Sequence, residues 1–341
     1  MTVYSETGLH YIRTLGLYCV PILLSLMICP LVGSENLDFQ SIIQDLLTGD
    51  FSIDSQIIFE QRFPRVLLGL LVGGALAMTG AVFQVILRNP LAEPYTLGVT
   101  GGGAVGAALA FFYPALVITI GPFSTVQIFS LLGSSIILAI IYMIAIRQAD
   151  LSMSSLLLAG VTLGITCGSF ILLLRYLANP HQLVVMDRWL MGGLDVIGYR
   201  DLASLFPLLL PGFGFLIITI PSLNLLTLGK DMAAGQGVDV TRIQKYAFIG
   251  GSLATASVVS LAGPIGFVGL IIPHMVRKIS GYDHRIVVPA SFCLGSAFLV
   301  VCDTIARTII APMEMPVGVI TALLGGPFFL YLLVSHRTRK W

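Results

Sequence analysis

Ionisable side chains are scarce in this chain, with only 10% Asp, Glu, Lys and Arg, so those that interrupt its apolar runs are where chemistry has to be sought. Asp303 and Arg307 stand four residues apart in the run that begins at Ile286, on one face if that run is helical. An ionisable residue inside a lipid-buried segment is costly and is a functional candidate by default. A local ion pair that lets both sit near an interface explains the same spacing equally well. Arg62 and Arg65 bracket Phe63-Pro64 ahead of another apolar run. They would either snorkel to headgroups or meet acidic patches on an external partner. No HExxH and no GxSxG occurs, and His10, His181, His274, His284 and His336 lie mostly in loops or at the ends of apolar runs, so no metal site is expected. Gly101-Gly102-Gly103-Ala104-Val105-Gly106 fits GxGxxG, but no soluble strand precedes it and no acid follows at nucleotide-site distance. It reads as a glycine-rich membrane helix lining a packed interface or a pathway. No Walker A sequence is present, so any ATP that drives the protein is hydrolysed on another chain.

The elements that position these residues follow from composition. The 341 residues are 56% hydrophobic, where a soluble domain would carry roughly 25% charge. This is an all-α polytopic membrane protein, and about ten transmembrane helices fit its length at a ~30 Å hydrocarbon thickness. The five cysteines lie in apolar runs with no CxxC spacing and read as small buried hydrophobes. The first run, Thr14–Gly33, lacks a small-residue cleavage site and should persist as a helix.

Along the chain, an acidic connector (34–61) without Lys or Arg before Gln61 follows the first span. Within it Phe39, Ile42, Ile43, Leu46 and Leu47 recur at helical spacing, which predicts a short surface helix. Spans are expected at Val66–Leu87, two between Pro94 and Ile146, then Leu151–Leu174, Leu202–Ile220, Tyr246–Leu261, Ile286–Ile310 and Pro316–Val334. Gly263–Arg285 supplies one more. Ala262-Gly263-Pro264 breaks a helix there, Pro273-His274 interrupts the apolar run, and His274, Arg277, Lys278, His284 and Arg285 make a basic end. Gly69, Gly73, Ala77 and Ala81, and Gly160, Gly164 and Gly168, each fall on one helix face and predict close helix packing. Glu93 is expected at a cytoplasmic end.

With the N-terminus inside, twelve of the 18 Lys and Arg fall on the inner side. Arg62, Arg65, Arg175, Arg188, Arg200 and Arg307 fall outside. The loop 221–244 then lies inside. It mixes Leu223, Leu225, Leu226, Leu228, Met232 and Val238 with Lys230, Asp231, Asp239, Arg242 and Lys245. Two short helices broken at Gly235 and Gly237 would fit, either on the membrane surface or as a docking element for a cytoplasmic partner.

These blocks resemble the FecCD-type permease subunits of ABC importers for iron-siderophores, haem and cobalamin. RFPRVLLGLLVGGALAMTGAVFQ, RNPLAEPYTLGV, LLLAGVTLGI, WLMGG, AGPIGFVGLIIPHMVR, DHR and PVGVITALLGGPFFLYLL carry the likeness, over about Gln61 to Leu333. The resemblance implies a single transmembrane permease domain over 1–341 with a cobalamin-permease-like (type II ABC importer) bundle, in the cell inner or plasma membrane with both termini cytoplasmic. It implies no cofactor on this chain, two copies of a partner ATPase carrying Mg-ATP, a periplasmic or lipoprotein substrate-binding protein, and a second permease subunit, the same chain or a sister. The function implied is inward movement of a metal chelate, most simply a ferric siderophore, else haem or cobalamin. By motif, Arg62, Arg65 and Arg307 correspond to binding-protein docking residues. Asn89, Leu91, Met153 and Ser154 correspond to the cytoplasmic gate. Leu228, Lys230, Asp231, Met232, Gln236, Gly237 and Val238 correspond to the ATPase-coupling element. The chain departs from the family at Lys230, where an acid is usual, and at Gln236, where Leu is usual. The alternative is an ion-gradient-driven secondary transporter, which would want carboxylates near the midplane.

Overall fold

The computed structural model describes residues 2–33, 35, 42, 45, 52–116, 118–147, 153–196 and 198–335. Phe39, Ile43, Leu46 and Leu47 of the expected surface helix, and the basic tail after Ser335, lie outside the described residues. Six helices are long and apolar enough to cross a membrane. They lie in α1 (Thr2–Ile28), α2 (Ile53–Ile86), α4 (Thr125–Arg147), α5 (Met153–Leu177), α7 (Arg200–Leu228) and α11 (His284–Thr308). Between and around them pack α3 (Val99–Phe112), α9 (Val240–Ala262), α10 (Val268–Ser280) and α12 (Val317–Ser335). Two further helices, α6 (Pro180–Leu190) and α8 (Lys230–Gly235), lie in the connectors. No strand occurs among the described residues, only an isolated bridge between Ile120 and Phe123.

α2 is the axis of the bundle, buried along most of its length. Its small-residue face works as the sequence predicts. A Cβ on Gly73 would strike the Gly295 carbonyl of α11, and one on Gly80 would strike the Gly269 carbonyl of α10. Only glycine lets these backbones touch. The stripe on α5 packs in part: a Cβ on Gly98 would strike the Gly160 carbonyl and one on Gly101 would touch the Gly164 backbone, whereas a Cβ on Gly164 or Gly168 would meet nothing within the chain, and most of the α5 span is unburied.

Four boundaries differ from the sequence expectation, each for a physical reason. α2 starts at Ile53, well before Val66, so Pro64 sits inside a continuous helix rather than at its first turn. A π-helical turn, Ile57–Arg62, precedes the proline, and the Glu60 carbonyl that Pro64 leaves without its helical donor accepts the Gly198 N–H at 2.6 Å. Pro273 does not interrupt α10 either. The Gly269 carbonyl it frees accepts Gln84 Nε2 at 3.1 Å. α7 runs on through Pro221 to Leu228 because Leu216, Thr219, Leu223 and Leu226 continue one buried stripe across the proline. The loop 221–244 is therefore the end of α7, a break at Gly229 and the single short helix α8. Finally, the polar connector after α5 folds as α6, started by a capping box in which Asn179 and Gln182 exchange hydrogen bonds.

Glu93 also moves. After Arg88 the chain turns back into the bundle, and Pro94 lies against Gly269, which in turn touches Gly80 about two turns inside the end of α2. Glu93 Oε2 accepts the Phe267 N–H at 3.0 Å. The carboxylate is thus at the N-terminal end of α10, where the helix dipole favours an anion, and not at the bundle surface. α3 and α10 are both half-length helices that begin inside the bundle, as irregular backbone at depth requires surrounding protein.

Gln84→Leu should destabilise the detergent-solubilised protein by about 1–3 kcal/mol, because it orphans a buried carbonyl. Adding Pro273→Ala restores an N–H to that carbonyl and should recover most of the loss. Additivity of the two substitutions in thermal unfolding would show that the Gln84–Gly269 bond is not what sustains α10.

Candidate functional site

Charge collects at the two ends of the bundle. At the end where α2 begins, a polar cleft of about 670 Å³ is floored by Arg62, Arg65 and Arg307. Arg65 grips Asp303 with Nε at 3.0 and 3.2 Å and Nη2 at 3.0 Å, and its Nη1 reaches Glu314 at 2.7 Å. Arg307 Nε donates to Asp303 at 3.2 Å from the next turn of α11. Asp303 is 2% exposed. Two guanidiniums sharing one fork-bound carboxylate form a charge-assisted clamp between α2 and α11. The local ion pair weighed from the i, i+4 spacing is therefore present, with Arg65 as an additional member that spacing did not reveal. Arg62 is spent on backbone: it donates to the carbonyls of Pro30 (3.4 Å), Leu31 (3.5 Å) and Glu35 (3.0 Å). The three arginines expected on a docking face are thus together, but buried and partnered within the chain. The exposed charges described at the mouth are Arg188 and Asp195, paired at 3.0 Å, with Glu314 and Glu35 also on the rim. Sequence reasoning missed these rim residues because α6 and the loop after it reach the cleft only through the fold. Arg175 and Asp187, paired at 3.0 Å, and Arg200, bound to the Gly121 carbonyl at 3.0 Å, hold neighbouring connectors.

At the opposite end, α2 closes with a Schellman turn: Asn89 N–H bonds the Gln84 carbonyl and Arg88 N–H the Val85 carbonyl, both at 3.1 Å. Asn89 Oδ1 then accepts the Leu91 N–H at 2.9 Å, and Leu91 stands exposed on the rim of a second cavity. α5 begins at Met153, but the side chains of Met153 and Ser154 lie outside those described. α8 hangs from α7 on Gly229, whose φ is 132°. Ala233 is buried against α7, whereas Leu228 and Met232 are exposed, as are Asp231, Gln236 and Gly237; Lys230 and Val238 are half-buried. The root of this arm is tied down. Asn224 Nδ2 donates to Asp283 Oδ1 at 2.7 Å, Asn224 Oδ1 accepts the His284 N–H at 2.8 Å, and the Tyr11 hydroxyl donates to Asp283 Oδ2. Burial alone would push the Asp283 carboxyl up, but the Tyr11 and Asn224 hydrogen bonds hold it below its ordinary value, so it stays ionised at neutral pH. No cluster of three or more metal-ligating side chains occurs among the described residues.

The profile of the FecCD transport family matches residues 21–335. The chain belongs to that family. It is 40% identical to the cobalamin import system permease protein BtuC of Halobacterium salinarum, over 82% of this chain and 73% of that protein. It is 34% identical to the hemin transport system permease protein HmuU of Yersinia pestis, over 93% of this chain and 96% of the relative. A solved metal-chelate type ABC transporter in an inward-facing conformation superposes with a TM-score of 0.79 at 31% identity, over 95% of this chain and 99% of that one. This FecCD chain is accordingly a multi-pass permease subunit of an ABC importer for metal chelates, a transporter part rather than a catalyst. The secondary-transporter alternative does not apply to such a subunit.

Asp303→Ala removes the carboxylate of buried Arg307 and leaves Arg65 with Glu314 and Asp195 alone, and should cost about 3–5 kcal/mol. Asp303→Asn, which keeps the acceptor oxygen, should cost less. Equal unfolding temperatures for the two variants and the parent would show that the clamp contributes nothing to the fold.

Proposed function

We propose that this FecCD permease carries a ferric siderophore, or otherwise haem or cobalamin, inward across the cell membrane. ATP hydrolysis on two copies of a separate Mg-ATP-binding subunit drives the movement. Chelates named for its relatives, cobalamin, hemin and Fe(3+)-citrate, support the substrate class. In this reading a periplasmic or lipoprotein binding protein docks on the cleft above Arg62, Arg65 and Arg307. Arg188, Asp195 and Glu314 meet it first, and the buried arginines hold that rim in register. Both termini are cytoplasmic, as the excess of Lys and Arg at the α8 end favours. A second permease subunit covers the unburied face of α5, where a Cβ on Gly164 or Gly168 would meet nothing within the chain. Asn89, Leu91, Met153 and Ser154 line the inner gate.

One observation carries the energy-coupling part of the proposal. α8 is a short, partly apolar helix on a glycine break, with neighbouring Leu228 and its own Met232 exposed at 59% and 58%. A bundle with two states is biased only by contacts that differ between them. An exposed peg rooted through Asn224 to α11 and α1 is where a moving partner would make such contacts. The residues Leu228, Lys230, Asp231, Met232, Gln236, Gly237 and Val238 are the coupling surface in this scheme.

Replacing Met232–Val238 with a Gly/Ser linker should abolish co-purification of the ATPase chain and stop ATP-dependent uptake in membrane vesicles, while the permease still inserts. Uptake that survives the replacement, or that follows a proton or sodium gradient, would refute the proposal.

A further inference from the structure

A cavity of about 470 Å³ opens at the α8 end, between the end of α2, the end of α7 and α10. Among the described residues its titratable lining is Arg88, Arg277, His274, His284 and Tyr282, with no Asp or Glu. Asp283, adjacent to His284, is committed elsewhere: it accepts from Tyr11, Asn224 and the Arg285 N–H. Arg277 is half-buried, and its Nη2 donates to Gln84 Oε1, a neutral oxygen that orients the guanidinium without neutralising it. Gln84 cannot turn away, because its Nε2 is occupied by the Gly269 carbonyl. His284 Nδ1 lies 2.8 Å from Asn224 Oδ1, which only accepts, so Nδ1 carries a proton and Nε2 is left for a further partner.

Arg88 adds an independent observation. It occupies the left-handed position of the Schellman turn with φ 47°, where glycine sits without strain. A strained non-glycine residue at a cavity rim asks for a functional reason. The negative end of the α2 dipole favours one cation there, but it does not account for a second, Arg277, around the same space. The remaining wall is apolar, with Leu91, Leu270 and Phe329.

We propose that this cavity binds the phosphate of an anionic phospholipid, with Arg277 and Arg88 on the phosphate and the apolar wall against the glycerol and acyl carbons. Basic pockets between helices at a membrane face suit such headgroups. A free phosphate would satisfy the cations and leave the apolar wall empty, which favours a lipid source. Assignment to the cytoplasmic leaflet rests on the orientation proposed above; binding itself does not.

The test uses the full-length chain in detergent, stripped of lipid, with native mass spectrometry and thermal unfolding after adding phosphatidylglycerol, phosphatidylcholine or inorganic phosphate. Phosphatidylglycerol should bind and raise Tm, phosphatidylcholine should do so far less, and phosphate alone should leave Tm unchanged. Arg277→Gln should weaken phosphatidylglycerol binding about fivefold, the loss expected for one basic contact. Arg88→Gly should weaken it similarly while leaving the lipid-free Tm equal or higher, since glycine relieves the turn. That second variant separates loss of the site from loss of the fold. Equal binding of the two lipids, full stabilisation by phosphate alone, or undiminished phosphatidylglycerol preference in both variants would overturn the proposal.

Discussion

A backbone carbonyl released at membrane depth has no water to turn to, and this fold is arranged around meeting that demand. Pro273 frees Gly269, and Gln84 supplies the missing donor from α2. The same glutamine then fixes Arg277 with its other end. One amide side chain thereby satisfies the carbonyl a proline frees, ties that helix to the central one and orients a cation at the rim of the cavity at the α8 end. Pro64 poses the same problem at the other end, where the Gly198 N–H is the solution. That bond also brings the loop after α6 to the mouth of the polar cleft, and with it Asp195.

The two ends differ in how charge is handled. At the α2 start, Asp303 stands between Arg65 and Arg307, so burial is offset locally and the cleft is stiff. At the α8 end the carboxylate of Asp283 is drawn into a network with Tyr11 and Asn224, and the cavity alongside has arginines but no acid among its described lining residues. One end of the subunit thus has its buried charge paired within the chain, and the other is basic and carries an exposed helix on a glycine break. Glu93 joins the two halves: its bond to Phe267 holds the inward-folded segment after Arg88 against the start of α10.

Much of this was legible along the chain. Composition gave the membrane class, because so few charges cannot clothe a soluble surface of this size. The Gly69–Gly73–Ala77–Ala81 stripe forecast close helix packing, since only small residues admit a second backbone, and the fold supplies α11 as the neighbour. Long sequence blocks gave the family. The arginines of the cleft lie together, but the sequence did not show their burial, because Asp303 and Glu314 are more than two hundred residues from Arg65.

Local pattern determined the helices, their apolar faces and the excess of positive charge at one end, all of which depend on neighbours a few residues apart. Tertiary structure alone decided whether each proline would end a helix, how deep Glu93 would lie, and which charges would face a partner rather than one another. Those outcomes turn on whether a distant group supplies a donor or a counter-charge at the right place, and spacing in the sequence does not encode the distance across a packed bundle.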